Sequence, residues 1–302
     1  MKIAFFGTGL LGEPMAHQLV DAGYDVTVYN RTVSKSEALK NKGAAVAQTP
    51  LEAMKKADVF ITMLADYPAV DAVLFSIPSP PFKGKTLIQM STISPQESLL
   101  LKKRVEEAGG EYLEAPVLGS IPQAKSRTLF VLFGGTQEQY DKWQDLLKTF
   151  GDKLIMFNAV GRASAAKLAL NQLIASLTTA FSMSLGYLRE KQVDIDKFMG
   201  ILRDSALYAT TFDKKFARMM QRDFSNPNFP VKHLLKDVDL MLRDFGDAGI
   251  NIAALEGVKK IILKTMENGD ADMDYSALYN AVHPSARGAA EGPSGHIEGF
   301  LT

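Results

Sequence analysis

Six residues near the start of the chain limit its folding more than any others: Gly7-Thr8-Gly9-Leu10-Leu11-Gly12. They follow directly on a short apolar run, Lys2–Phe6, and open a stretch of helical periodicity over residues 13–22, after which the β-branched run Asp25–Tyr29 begins. Strand, tight turn, helix and strand in that order make a βαβ unit. Each glycine then has its own physical task. The first allows the turn, the second removes a side chain where a pyrophosphate must approach, and the third lets the helix pack close against the strand. Backbone N–H groups and the positive end of the helix dipole complete an anion site. Glycines serving only a tight turn would look similar in isolation; a strand before them and a helix after them favour dinucleotide binding. The anion site has to be local, because 34 Lys and Arg balance 34 Asp and Glu. No bulk field draws this chain to nucleic acid or to an anionic membrane.

The end of the second strand selects between dinucleotides. A site for NAD places Asp or Glu there to accept hydrogen bonds from the ribose 2′-OH. Here the run is Tyr29-Asn30-Arg31-Thr32. A carboxylate would repel a 2′-phosphate, whereas Arg31 can pair with one in a fork and lie over the adenine face. Asn30 and Thr32 can add donors, although Asn-Arg-Thr is also ordinary loop chemistry. The residues favour NADP(H).

Alternation continues with helical stretches at 35–42, 50–56, 95–108 and 138–148 and strand-like runs at 45–47, 59–64, 86–89, 112–114, 128–133 and 153–157. This predicts an α/β fold, a Rossmann domain with a doubly wound, mostly parallel sheet. Past residue 160 the strand signal ends. Residues 164–192 contain no proline and one glycine, Gly186, with Leu, Ala and Met at helical spacing. A helix of that length spans about 40 Å, enough to bridge two domains or to form a subunit interface. Further helical patterns at 194–205, 208–222, 231–248, 252–268 and 276–282 make the second half all-α. The expected division is a dinucleotide-binding domain at 1–162, an interdomain helix at 163–192, an α-helical domain at 193–283 and a flexible tail at 284–302. The tail is rich in Gly, Ala, Ser and Pro, as either a natural extension or a cloning remnant would be. At 302 residues, 46% hydrophobic and 23% charged, the chain has the make-up of a soluble protein with about two cores. It has no cysteine, which excludes disulfides, thiolate metal sites and a thiol nucleophile, and no unbroken run of eighteen apolar residues. The reading is of a cytoplasmic, unprocessed protein.

The long helix carries the first candidate for chemistry. Lys167 and Asn171 lie four residues apart near its start and project from one face. Taken alone, such a pair is more often a solvated surface. The four histidines, at 17, 233, 283 and 296, have no metal-ligand spacing, and no GxSxG elbow supports a serine hydrolase.

Five segments change the weight of that pair: GTGLLGEPMAHQL, QMSTISP, EAPVLGS, GRASAAKLALNQ and FPVKHLLKDVDL. In order and spacing they resemble the β-hydroxyacid dehydrogenases, the group that includes 3-hydroxyisobutyrate dehydrogenase, tartronate semialdehyde reductase and the glyoxylate/succinic semialdehyde reductases. The resemblance spans residues 1–282. It implies that Lys167 is the general acid/base: as hydride reaches a carbonyl carbon, negative charge grows on the oxygen, and an ammonium both stabilises it and supplies a proton. Asn171 would hold the lysine or the substrate.

By the same resemblance, Thr92 and the turn of Val117, Leu118, Gly119 and Ser120 would present hydroxyl or backbone N–H groups to a substrate carboxylate. Phe229 would wall the pocket, Lys236 would lie near the nicotinamide, and Asp237 would orient its neighbours. For Lys232, His233 and Asp237 the plainer alternative is an amphipathic helix start with a solvated ion pair. The expected cofactor set is Gly7, Thr8, Gly9, Leu10, Leu11, Gly12, Asn30, Arg31, Thr32, Met63, Leu64, Ala65, Thr92 and Lys236. Two departures stand out: Leu118 where the family usually has Ser, and Gly161-Arg162-Ala163 in place of glycine-x-glycine before the lysine.

The Asn-Arg-Thr run, the Gly-Ser end of EAPVLGS and FPVKH lean toward the NADPH-linked glyoxylate and succinic semialdehyde reductases. The expected substrates are small carboxylated aldehydes or keto acids. A 3-hydroxyisobutyrate or tartronate semialdehyde enzyme uses the same residues, and a dinucleotide-binding scaffold or sensor without turnover is the non-enzyme alternative. An imine reductase shares the architecture but typically replaces the lysine. The apolar long helix predicts a homodimer or homotetramer, since apolar residues around much of its circumference need neighbours on several sides. Replacing Arg31 by Ala should raise the KM for NADPH far more than that for NADH in steady-state assays; equal increases would sink the assignment.

Overall fold

Alternate residues of the first strand, β1 (Lys2–Phe6), belong to different hydrophobic cores. Ile3 and Phe5 join one cluster, and Ala4 and Phe6 join another. A strand covered on both faces is predominantly apolar, which is why β1 reads as a near-continuous run. β2 (Asp25–Tyr29), β3 (Ala45–Val46), β4 (Val59–Thr62), β5 (Thr86–Gln89) and β6 (Glu111–Glu114) complete a six-stranded sheet in the order β3-β2-β1-β4-β5-β6, with every pairing parallel. This is a doubly wound Rossmann arrangement, and the order reverses between β1 and β4. The computed structural model describes residues 1–284, so the tail expected from position 284 lies outside the described residues except for Pro284.

Helices α1 (Gly12–Asp21), α2 (Glu37–Lys40), α3 (Pro50–Lys55), α4 (Tyr67–Leu74) and α5 (Pro95–Glu107) connect these strands. α5 begins with a capping box. Ser94 Oγ accepts the Glu97 N–H at 3.1 Å, and Glu97 Oε2 accepts the Ser94 N–H at 2.8 Å, which starts the helix three residues past Thr92. α4 was not among the expected elements, although Asp66 caps it through the Ala69 N–H at 2.8 Å. Its Asp-Tyr-Pro start was a legible signal.

A second sheet of β7 (Val117–Leu118), β8 (Phe130–Phe133) and β9 (Lys153–Met156) corrects the expected turn at Val117 and Leu118, which instead pair antiparallel with Val131 and Phe130. The short α6 (Ile121–Lys125), also unexpected, and α7 (Gln137–Leu147) lie between its strands.

From α8 (Arg162–Glu190) the chain is helical: α9 (Ile195–Asp204), α10 (Thr210–Gln221), α11 (Val231–Asp247), α12 (Ala253–Glu267) and α13 (Leu278–Val282). By length and composition alone, α8 is long and apolar enough to cross a membrane. Its Leu168, Ala175, Phe181 and Leu185 are instead buried in the helical core, with α10 to α13 packed around it. The start of α8 also touches α5 and β8, so one rigid helix reaches from the dinucleotide-type sheet into the second core.

Candidate active site

The glycine turn is built as its spacing required. Gly7 has φ +101°, and a Cβ there would lie 2.3 Å from the Met63 carbonyl oxygen; a Cβ on Gly12 would lie 1.9 Å from that of Gly7. Neither position tolerates a side chain. Gly9 differs, because a Cβ there meets nothing within 4 Å. The space over Gly9 is open, and no acceptor among the described residues takes the N–H of Gly9, Leu10 or Leu11. α1 has no side-chain cap either. A helix start with free donors facing open space, at the carboxyl ends of parallel strands, has the chemistry of a phosphate cradle. An NAD(P) pyrophosphate fits it.

Neighbouring residues brace this turn. The Thr8 N–H donates to Asn30 Oδ1 at 3.2 Å, the Thr8 hydroxyl pairs with that of Ser36 at 3.1 Å, and Asn30 Nδ2 donates to the Thr32 carbonyl at 2.9 Å. Asn30 thereby uses its amide oxygen and one amide N–H to brace the turn, which leaves its second amide N–H as a donor. Arg31 and Thr32 are exposed, and Arg31 has no ion-pair partner among the described residues. Across the crevice, Leu64 N–H donates to Ser91 Oγ at 2.8 Å, and the buried Gln89 ties Thr62 to Ser91. This fixes the Met63-Leu64-Ala65 segment beside the glycine turn. Leu10 and Ala65 are exposed there, while Leu11 packs on the core.

Lys167 lies in the second turn of α8 and is only 8% exposed. One turn further on, Asn171 Nδ2 donates to Asp237 Oδ2 at 2.6 Å. The Lys236 ammonium lies 2.5 Å from Asp237 Oδ1 without forming an aligned hydrogen bond, and donates to the Thr92 carbonyl at 2.8 Å. α8, α11 and the segment after β5 are thus joined by one polar chain.

Three groups in it remain open. Asn171 Oδ1 is buried without a hydrogen-bond donor, Asp237 Oδ1 has only the misaligned Lys236 ammonium, and the Lys167 ammonium has neither a hydrogen bond nor an ion pair among the described residues. Leaving a buried polar atom unpaired costs about 1–3 kcal/mol, so the arrangement suits a polar ligand that completes it. Burial pushes the Lys167 pKa down to about 8, with Asp237 opposing the shift and Lys236 adding to it. An amine near neutrality can give or take a proton.

Comparison with known proteins bears on this geometry. Residues 2–161 match the family model of the NAD binding domain of 6-phosphogluconate dehydrogenase, and residues 161–282 match that of the NAD-binding domain of NADP-dependent 3-hydroxyisobutyrate dehydrogenase. Glyoxylate/succinic semialdehyde reductase 1 of Arabidopsis thaliana is 30% identical, over 93% of this chain and 98% of the relative. The chain belongs to the NAD(P)-dependent β-hydroxyacid dehydrogenase family. It is an oxidoreductase with an NAD(P)-binding domain. The 2-hydroxy-3-oxopropionate reductase of Escherichia coli is 29% identical over 93% of this chain and 97% of its own. A solved Mycobacterium tuberculosis 3-hydroxyisobutyrate dehydrogenase with L-serine shares the fold at TM-score 0.84, with 24% identity over 93% of this chain and 98% of that one.

Within this dehydrogenase one member of the expected carboxylate cradle is engaged elsewhere. The Ser120 N–H and hydroxyl both donate to Gln123 Oε1, at 3.0 and 2.9 Å, because Gln123 lies in the first turn of α6. Both Ser120 donors are therefore engaged, whereas the Thr92 hydroxyl has no partner among the described residues. Leu118 is half-buried at the end of β7 and Gly119 is exposed. Thr92 contributes its carbonyl to Lys236. On the helical side, Phe229 stacks on His233 with centroids 6.5 Å apart and meets Tyr275 edge-on at 5.8 Å.

Lys232 forms a surface ion pair with Asp272 at 2.5 Å, as the plainer alternative had it, whereas Asp237 is 2% exposed and is no solvated partner. Glu114, in the EAPVLGS segment, has a role that its sequence position does not announce. Its carboxylate accepts the N–H groups at the start of α8, and an acid at the end of a buried strand was the one available signal.

The Lys167 environment sets a pH dependence. With Lys167 as the proton donor, carbonyl reduction would need the ammonium, and its kcat/KM should fall as pH rises through about 8. Alcohol oxidation needs the free amine and should rise through the same range. Asp237→Asn removes the charge that holds the lysine pKa up, and both limbs should move to lower pH in steady-state profiles. Limbs that stay in place would show that Asp237 does not tune Lys167.

Proposed function

We propose that this enzyme uses NADPH to reduce small carboxylated aldehydes or 2-oxo acids, glyoxylate and succinic semialdehyde among them, to the hydroxy acids, with Lys167 as proton donor. The observation that carries the reading is the buried, unpaired Lys167 ammonium beside Asn171 and Asp237. The nicotinamide supplies the hydride when bound. Gly7 to Gly12 hold the pyrophosphate through backbone N–H groups, Arg31 pairs with the 2′-phosphate, and Met63, Leu64 and Ala65 form the opposite wall. Lys167 neutralises the developing alkoxide and gives it a proton; Asn171, fixed through Asp237, keeps the carbonyl oxygen in line. Lys167 and Lys236 against Asp237 leave one net positive charge, which suits a monoanionic acid.

The relatives named as a glyoxylate/succinic semialdehyde reductase and a 2-hydroxy-3-oxopropionate reductase support this class of substrate. They also make tartronate semialdehyde the second candidate. Leu118, which brings no hydroxyl, favours a substrate whose carboxylate is bound by backbone groups and cations.

The enzyme is proposed to act in the cytoplasm as a homodimer or homotetramer. Leu173, Met183 and Tyr187 along α8, 51%, 57% and 64% exposed, support self-association.

Two measurements decide these points. Lys167→Ala should lower kcat for NADPH-linked reduction by about 10²–10⁴-fold while NADPH still binds; a variant with wild-type turnover, or a wild type that reduces neither these acids nor tartronate semialdehyde, overturns the reading. In sedimentation velocity, Leu173→Glu with Tyr187→Glu should convert an oligomer to monomer, and a monomeric wild type would refute assembly.

A further inference from the structure

We propose that Glu114 is the positioning residue for Lys167, holding the start of α8 against the end of β6 and so setting where the ammonium stands. This rests on Lys167 being the proton donor. Glu114 is fully buried. Its Oε1 accepts the N–H groups of Gly161, Ala163 and Ser164 at 2.8, 2.9 and 3.1 Å. Its Oε2 accepts the Ser164 hydroxyl at 2.6 Å and that of Ser98 on α5. The Tyr112 hydroxyl, 2.7 Å from Ser98 Oγ, donates to it in turn. Five donors from two helices converge on one carboxylate.

The reason lies in the start of α8. The first N–H groups of a helix have no partner inside it, and the residue before the helix usually supplies one from its side chain. Here that residue is Gly161, which has none. The capping group comes from Glu114, 47 to 50 residues earlier in the chain. A carboxylate also complements the positive end of the helix dipole.

Glu114 itself cannot drift. Its N–H donates to the Gly134 carbonyl at 3.0 Å, and its carbonyl accepts the Gly134 N–H at 2.8 Å. Gly134 has to lack a side chain, since a Cβ there would lie 2.5 Å from Glu114 Oε1. Lys167 stands three residues past Ser164, about 4.5 Å along the axis. A displacement of the helix start therefore carries the ammonium with it. The glycine turn sits on β1 and α1 and has no part in these contacts, so proton transfer and dinucleotide binding should respond separately.

Glu114→Gln keeps the length and an acceptor for the three N–H groups, and its amide can donate to the serine hydroxyls. Glu114→Asp keeps the charge but withdraws it by one methylene. With NADPH and glyoxylate, Glu114→Asp should lower kcat by about 100-fold and Glu114→Gln by less than about 5-fold, with the NADPH Kd from fluorescence titration within about 2-fold of wild type in both. Gly134→Ala, which crowds Oε1 while leaving Glu114 in place, should lower kcat in the same selective way. Wild-type kcat in Glu114→Asp or Gly134→Ala, equal losses in Asp and Gln, or parallel losses of kcat and NADPH affinity each overturn the proposal. Lys167→Ala in the same series separates the two ideas: if it keeps turnover, the lysine assignment fails whatever the Glu114 variants do.

Discussion

The convergence of five donors on the buried Glu114 carboxylate is the constraint around which the two halves of this dehydrogenase are arranged. A long helix starting beneath a sheet brings unpaired N–H groups into a place without solvent, and each has to find an acceptor. One carboxylate at the end of β6 accepts three of them and ties in α5 as well. The polar chain from Asn171 through Asp237 and Lys236 to Thr92 makes a second tie between the helical half and the sheet. Lys167 lies between these two attachments. Its position is fixed from both ends of the same helical segment.

Electrostatics in that space run in opposite directions and leave the lysine in a useful range. Burial and Lys236 disfavour its charged form, while Asp237 favours it, and the balance is a pKa of about 8. Had α11 brought only the cation, the amine would titrate lower; a carboxylate alone would keep it charged. The adjacent Lys236 and Asp237 deliver both, on neighbouring positions of a helix that faces α8. Asn171 Oδ1, buried without a donor, is an open acceptor beside the lysine, suited to a substrate hydroxyl.

Much of the fold was legible because its causes are local. Strands buried on both faces appear as short, mostly apolar runs, and helices carry their period. Gly7 and Gly12 have no steric alternative, so their spacing alone anticipated the turn. α4 is hard to read despite an Asp cap and an early proline because residues 69–74 are apolar at every position but Asp71 and show no one-sided stripe. β7 escaped because two residues next to a glycine have no period at all. Within the site, Ser120 shows the limit of reading a motif: its hydroxyl and N–H are conspicuous in the sequence, yet the first turn of α6 has already engaged them through Gln123.

The amino-acid order by itself determined the alternation of strand and helix, the glycine turn, the absence of an acid after β2 and the presence of Arg31, because each depends on neighbours in the chain. Tertiary structure decided which polar residues are buried and what they face. Asp237 and Lys232 sit five residues apart in one amphipathic pattern; packing against α8 makes the first a buried partner of Asn171, and solvent keeps the second in a surface pair with Asp272. Glu114 is further still from the residues it serves. Hydrogen bonding and desolvation act over a few ångströms of space, and separations of 47 to 66 residues along the chain carry no trace of that proximity.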